Sequence, residues 1–212
     1  MTEVKEENNR IMQDGLPRGM AIVVSAPSGT GKTTLCKMLT EEFKDIRLSV
    51  SFTTRVRRRG EIDGVSYHFI SDDEFDKMTV NSEFIEWANI FGKRYGTAIR
   101  SIYNGYLYDT LLEIDVQGAE KMRKYYDEIH RLSNLVTIFI KPPSQKALIE
   151  RLNKRGQISD EELRRRLAAA NDEIEKSKFY NYTITNDIIE KAYLKLKSVI
   201  IAERCRNTKI RR

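Results

Sequence analysis

Residues 26 to 33, Ala-Pro-Ser-Gly-Thr-Gly-Lys-Thr, have the types and spacing to hold a run of phosphates. The glycines let the backbone curl, so that successive N–H groups point at one anion. Lys32 then reaches β- and γ-phosphate oxygens, and Thr33 offers a hydroxyl to Mg2+ travelling with ATP. The candidate contacts of this loop are Ser28, Gly29, Thr30, Gly31, Lys32, Thr33 and Thr34. Ala26 stands where such loops usually begin with glycine, and alanine fits there as long as φ is negative. A chance glycine-rich turn would lack the right flanks. Here the β-branched run Met20–Ser25 precedes the loop. A helical pattern from Lys32 to Phe43 follows, with Leu35, Met38, Leu39 and Phe43 on one side.

A second constellation could hold a phosphorylated acceptor. Arg55 and Arg58, three apart after an apolar run, can grip a phosphate as planar forks. Tyr67 and Tyr95 can donate hydroxyls to it, although both read equally well as core aromatics. Arg57 and Arg59 read as solvated surface. Glu86 lies among Phe84, Ile85 and Trp87. From its pattern alone a carboxylate there can accept hydrogen bonds or simply face solvent. A third group of cations, Arg151, Arg155, Arg164, Arg165 and Arg166, spans the end of one helix and the start of the next. Arginines on a segment that closes can surround a transferring phosphoryl and exclude water. A solvated helix face is the plain reading of Arg164 and Arg165.

The elements that must position these groups alternate. Strands are predicted at Met20–Ser25, Leu48–Thr53, Tyr67–Ile70, Phe84–Phe91, Thr110–Asp115, Leu135–Ile140 and Tyr182–Thr185. Helices are predicted over about 32–43, 72–80, 116–126, 144–153, 159–178 and 188–204. Ser144 caps one helix, and Ser159 with Glu162 forms a capping box for the next. The alternation implies an α/β fold in three layers, with a mainly parallel central sheet. Ligands then sit beyond the carboxyl ends of the strands.

Composition narrows the class. The chain has 212 residues and a net charge of +6 from 37 basic and 31 acidic side chains. That excess suits phosphate binding but decides nothing alone. No apolar run of about 18 residues suggests a membrane span. The first 18 residues carry Glu3, Glu6, Glu7 and Asp14 and read as a flexible polar extension, unlike a signal peptide. Cys36 and Cys205 lack CxxC spacing and read as reduced thiols, and His68 and His130 form no zinc pattern. A cytoplasmic location is expected. The basic tail, including Arg204, Arg206, Lys209, Arg211 and Arg212, reads as a solvated helix end and not as a nucleic-acid surface.

Several separated motifs then occur in order: Ser51-Phe-Thr-Thr-Arg-Val-Arg-Arg-Arg-Gly-Glu61 followed by Gly64 and Tyr67; Glu83-Phe-Ile-Glu-Trp87; Tyr95-Gly-Thr97; and Leu112-Glu-Ile-Asp-Val-Gln-Gly118. From about Met20 to Glu203 the chain resembles the guanylate kinase family. The resemblance implies a P-loop NTPase fold with an inserted GMP-binding lobe and a helical lid. Its expected parts are a core at 19–52, 98–150 and 171–207, a lobe at 53–97, a lid at about 151–170, and a tail at 208–212. It implies in-line transfer of the γ-phosphoryl of Mg-ATP to GMP, as monomer or homodimer, with no nucleic-acid or membrane partner. Ser51, Arg55, Arg58, Tyr67, Glu86, Tyr95, Gly96, Thr97, Glu113 and Asp115 become the GMP contacts, with Glu86 on the guanine edge. Arg155 and Arg166 join Lys32 and Arg58 as catalytic cations, and Arg151 and Asn186 fall on the ATP side. Two departures stand out. Gly156-Gln157-Ile158 replaces the family's Gly-Thr-Glu, and the stretch between Thr97 and Asp115 is about two residues short. The rival readings are a phosphopeptide-binding scaffold without catalysis, a P-loop kinase for another small acceptor, and a nucleic-acid binder.

Overall fold

A computed structural model describes residues 19–90, 92–103, 108–154 and 159–206. The expectations for the N-terminal extension, Phe91, Arg155, Gly156 to Ile158 and the tail at 208–212 lie outside the described residues.

The central sheet grows around β1 (Ala21–Ser25), whose five residues are all buried. β2 (Ile46–Leu48), β7 (Asp109–Glu113), β8 (Leu135–Lys141) and β9 (Tyr182–Thr185) complete it in the order β2-β7-β1-β8-β9, every pair parallel. A parallel sheet is covered on both faces, so its central strand reads as a continuous apolar run. Alternate side chains of β1 feed separate cores. Ile22 and Val24 pack with Leu35, Cys36 and Leu39 of α1 (Lys32–Glu42) and with Ala192, Leu196 and Ile200 of α7 (Ile189–Arg204). Ala21 and Val23 pack with Ile102 of α3 (Ile99–Tyr103) and with Ala119, Met122 and Tyr126 of α4 (Val116–Glu128). Burying each large aliphatic side chain contributes roughly 1.5–3 kcal/mol.

A second sheet, in the order β4-β3-β6-β5, comprises β3 (Phe52–Thr53), β4 (His68–Phe69), β5 (Phe84–Ile90) and β6 (Lys93–Ala98). It has its own small core of Phe52, Phe75 and Ala98, with Phe84 stacked on Phe75 at 4.5 Å. α2 (Asp72–Val80) supplies Phe75. A full capping box at Ser71 and Glu74, not singled out in the sequence, starts that helix.

The strand expected over Leu48–Thr53 is two strands in two sheets. Ser49 N–H still donates to Leu111 O in the central sheet at 2.8 Å, whereas Ser51 O accepts from His68 N–H in the second at 2.9 Å. The chain changes sheets at Val50, and one alternating run therefore serves both. β6 and α3 were not foreseen. The remaining helices are α5 (Gln145–Lys154) and α6 (Asp160–Lys176), joined through Leu148, Leu152, Leu163, Leu167 and Ala170. Ser144 Oγ caps α5 by accepting from Ala147 N–H at 3.1 Å. Ser159 Oγ accepts from Glu162 N–H at 3.2 Å, as expected. The Glu162 carboxylate does not close the box; it accepts from Arg165 and from Arg166 Nε, the latter at 2.7 Å. Two charged partners outbid one backbone amide.

Candidate functional site

The phosphate loop leaves β1 at the centre of the sheet and enters α1. Gly29 and Gly31 have φ of 89° and 95°, a region L side chains rarely adopt. Gly31 is also crowded, since a Cβ there would lie 2.6 Å from the Asn186 carboxamide nitrogen. Among the described residues the non-glycine positions with positive φ are Ser82 and His130, so Ala26 has the negative φ that its substitution requires.

Two distant segments hold the loop. Asn186, 3% exposed at the end of β9, donates its amide to Thr30 O at 2.7 Å. Arg151 donates to Thr30 O at 3.3 Å and to Asn186 O at 2.9 Å. Both residues were expected beside ATP, and here they brace the loop that would hold it. The Asn186 carboxamide oxygen is buried without a protein partner.

At the mouth of the loop Thr33 donates to a Glu113 oxygen across 3.0 Å. Thr33 lies in the first turn of α1 and Glu113 ends β7, so the contact ties the loop to the neighbouring strand end. Asp115, two residues on, caps α4 by accepting from Gly118 N–H at 2.8 Å, and its carbonyl faces the Ser25 hydroxyl at 3.4 Å. Glu173 of α6 also belongs here and was missed. Burial pushes its carboxyl up to about 7, Asp115 pushes the same way, and Lys32 pulls back. Nothing in its helical run distinguishes it from a surface glutamate.

The acceptor side is built from the second sheet. Arg55 makes a fork-to-fork pair with Glu61 at 2.7 and 3.1 Å, and its guanidinium lies over the rings of Tyr67 and Phe69. Glu61 also accepts from Arg58 N–H at 2.8 Å, so one carboxylate sets both arginines. It holds the Arg55 pKa above its usual value, and Arg55 in turn holds Glu61 below the carboxylate range. Glu61 was quoted in the motif but given no role; the arginine-to-glutamate spacing was the available signal. Arg58 itself is exposed. Tyr67 and Tyr95 meet edge to face at 5.8 Å. Burial raises the Tyr67 pKa, and the charges of Tyr95 and Glu113 add to the rise. Glu113 is thus electrostatically close to the acceptor lobe.

Glu86 is 5% exposed, which removes the solvent-facing reading. It pairs with Thr97 across β5 and β6, and the Thr97 hydroxyl donates to Glu86 Oε1 at 2.6 Å. Burial pushes its carboxyl up to about 7; the Thr97 bond opposes that, Asp115 adds to it, and Lys121 opposes it. Gly96 is buried beside Thr97, under the ring of Phe84. Ser51 is half-buried at the crossover between sheets.

The arginine side is less assembled. Arg166 rests on Glu162, and Arg165 shares that carboxylate with its side chain 57% exposed. Elsewhere, a cavity of about 450 Å³ lies between α4 and the end of α6, lined by Val116, Arg123, Thr137 and Tyr180 among others. None of the sequence-predicted site residues lines it. Among the described residues no helix is long and apolar enough to cross a membrane, and no cluster of three His, Cys, Asp or Glu could hold a metal unaided.

Known proteins are similar to this chain over most of its length. A family model described as guanylate kinase matches residues 18–203. The chain is 45% identical to the guanylate kinase of Geobacter metallireducens over 194 residues, covering 91% of this chain and 93% of the relative. It is 42% identical to that of Caldanaerobacter subterraneus, covering 89% and 90%. Among solved structures, the guanylate kinase from Anaplasma phagocytophilum superimposes with a TM-score of 0.69 at 34% identity, covering 89% of this chain and 88% of that one.

Proposed function

The chain belongs to the guanylate kinase family, and from that premise we propose how its own residues divide the work of an ATP:GMP phosphotransferase that forms GDP and ADP. The observation that carries the assignment of roles is Glu86, a buried carboxylate with one oxygen tied to Thr97. Guanine presents N1–H and a 2-amino group side by side, and a carboxylate accepts both. Adenine lacks that pair and would leave the buried group unsatisfied, a mismatch that can discriminate by about 10⁴-fold. Ser51 can donate to O6 of the same base, while the Thr97 hydroxyl proton stays with Glu86.

The acceptor phosphate falls to Arg55, Arg58, Tyr67 and Tyr95. Glu61 holds Arg55 and the Arg58 backbone before any ligand arrives, so less side-chain freedom is lost on binding. On the donor side the loop amides from Ser28 to Thr34 cradle ATP. Lys32 neutralises charge that spreads over the transferred group as it leaves one oxygen and meets the other in line. Arg151 and Asn186 keep the loop in shape. A contact from Asn186 to the adenine amino group would require its buried oxygen to be uncovered when ATP binds. Arg155 and Arg166 close from the lid, and for Arg166 that means leaving or sharing Glu162.

A hydroxyl and a carboxylate 3.0 Å apart at Thr33 and Glu113 suit a small hard cation that takes its other ligands from water and phosphate. Mg2+ bound there would neutralise phosphate charge. Asp115 is placed to orient GMP or its water from the cap of α4. A cytoplasmic setting fits a metabolic kinase of this kind.

The test is ADP formation from ATP with GMP, AMP, UMP or CMP supplied singly. GMP alone should support fast turnover. Equal rates with AMP would remove Glu86 as the reader of the base.

A further inference from the structure

Gly118 sits in the first turn of α4, where its N–H is held by Asp115 at 2.8 Å. Its φ is not positive, so backbone conformation does not demand glycine there. Glycine is among the poorest helix formers, and alanine would serve the helix better. What alanine would meet is Glu86. A Cβ at this position would lie 2.8 Å from Glu86 Oε2, 3.1 Å from Glu86 Cδ and 3.2 Å from Ile114 Cβ.

Ordinarily the end of a glutamate side chain yields cheaply. This one does not, because Oε1 accepts from Thr97 at 2.6 Å in a buried setting. Nor can the helix back away. Asp115 holds the Gly118 amide, Lys121 one turn on bonds to Trp87 O in β5, and Met122 and Ala119 are packed into the core beneath. The carboxylate is therefore caught between a threonine on one side and bare α-carbon on the other.

We propose that Gly118 is a specificity-positioning residue, whose missing side chain provides the space that sets the Glu86 carboxylate at the height needed to read guanine. It touches neither base nor phosphate and acts through Glu86, so the proposal rests on the reading of Glu86 given above. Its effect belongs to GMP, and the ATP side should not feel it.

Gly118→Ala is expected to raise KM for GMP between about 10- and 100-fold, as misplacing a positioning group by up to about an ångström does. KM for ATP should stay within about twofold, and the GMP-over-AMP ratio of kcat/KM should fall in step. Glu86→Asp shortens the side chain and withdraws it from residue 118. In that background Gly118→Ala should cost less than about twofold, the signature of two substitutions sharing one contact. An equal cost in both backgrounds, a parallel rise in KM for ATP, or an unchanged KM for GMP in Gly118→Ala would overturn the proposal. If Gly118→Ala melts too low to assay, the double variant should melt at or above Glu86→Asp alone; equal instability would count against it. Glu86→Gln separates the two layers of the argument. Preserved selectivity in that variant removes the base-reading role itself, whereas lost selectivity there with an inert Gly118→Ala removes only the role of Gly118.

Discussion

The donor loop and the guanine pocket solve recognition by opposite means. On the proposed reading the loop uses main-chain amides between Ser28 and Thr34, and its two positive-φ glycines aim them. The pocket uses a side chain from β5, another from β6 and a gap in α4, brought together by tertiary packing. Amides carry fixed partial charge and cannot titrate. The pocket relies on a buried carboxylate whose proton affinity is pushed up to about 7. The half proposed to hold the common phosphate group is braced at Thr30 and presents main-chain groups that do not titrate. The half that must choose among bases carries the electrostatic cost.

That contrast can be broken most severely at the pocket. Glu86→Gln should lower the GMP-over-AMP ratio of kcat/KM by about 10³-fold or more, because the amide turns one acceptor into a donor facing guanine. Acceptor-dependent ADP release measures it. Lys32→Ala should reduce kcat by about 10²–10³-fold with both KM values and the melting temperature little changed. The pH dependence is next. GMP needs the charged form of Glu86, which is lost as pH falls through about 7. kcat/KM for GMP should then drop by up to about tenfold per unit, while nucleotide binding at the loop measured with an ATP analogue stays flat. Glu61→Gln should raise KM for GMP several-fold, on the order of the 1 kcal/mol that a partly screened ion pair supplies.

The smallest effect is on stability. A carboxyl whose folded pKa is raised from 4.5 to about 7 holds its proton longer in the folded chain than in the unfolded one. Its contribution is present below 4.5 and is lost as pH rises through 7. Glu86→Gln should therefore gain stability relative to the wild type between pH 4 and pH 8, by a few degrees in Tm. Thermal melts at the two pH values would show it, and a constant difference would argue against a titrating Glu86.

The same contrast explains what could be read from the sequence. The phosphate loop was legible because all its information is local: spacing, glycines, a strand before and a helix after. Most strands and helices were legible for the same reason. The break at Val50 was not, since Leu48, Val50 and Phe52 alternate with Ser49, Ser51 and Thr53 as a single strand would, yet serve two sheets. β6 was hidden because Lys93-Arg-Tyr-Gly-Thr lacks an alternating apolar pattern, and β5 and β3 supply its pairing. Glu86 could be named but not placed. Its burial depends on Thr97 and on α4, both remote in sequence. Glu173 carried no local mark, and Glu162 read as half of a capping box until Arg165 and Arg166 competed for it.

The bracing of Thr30 has a consequence for biosynthesis. The loop is complete by residue 34, but its carbonyl clamps lie 121 and 156 positions further along the chain. A nascent polypeptide therefore displays the whole motif long before it owns the clamps. Asn186 can close over the turn only once β9 has been made and has seated beside β8.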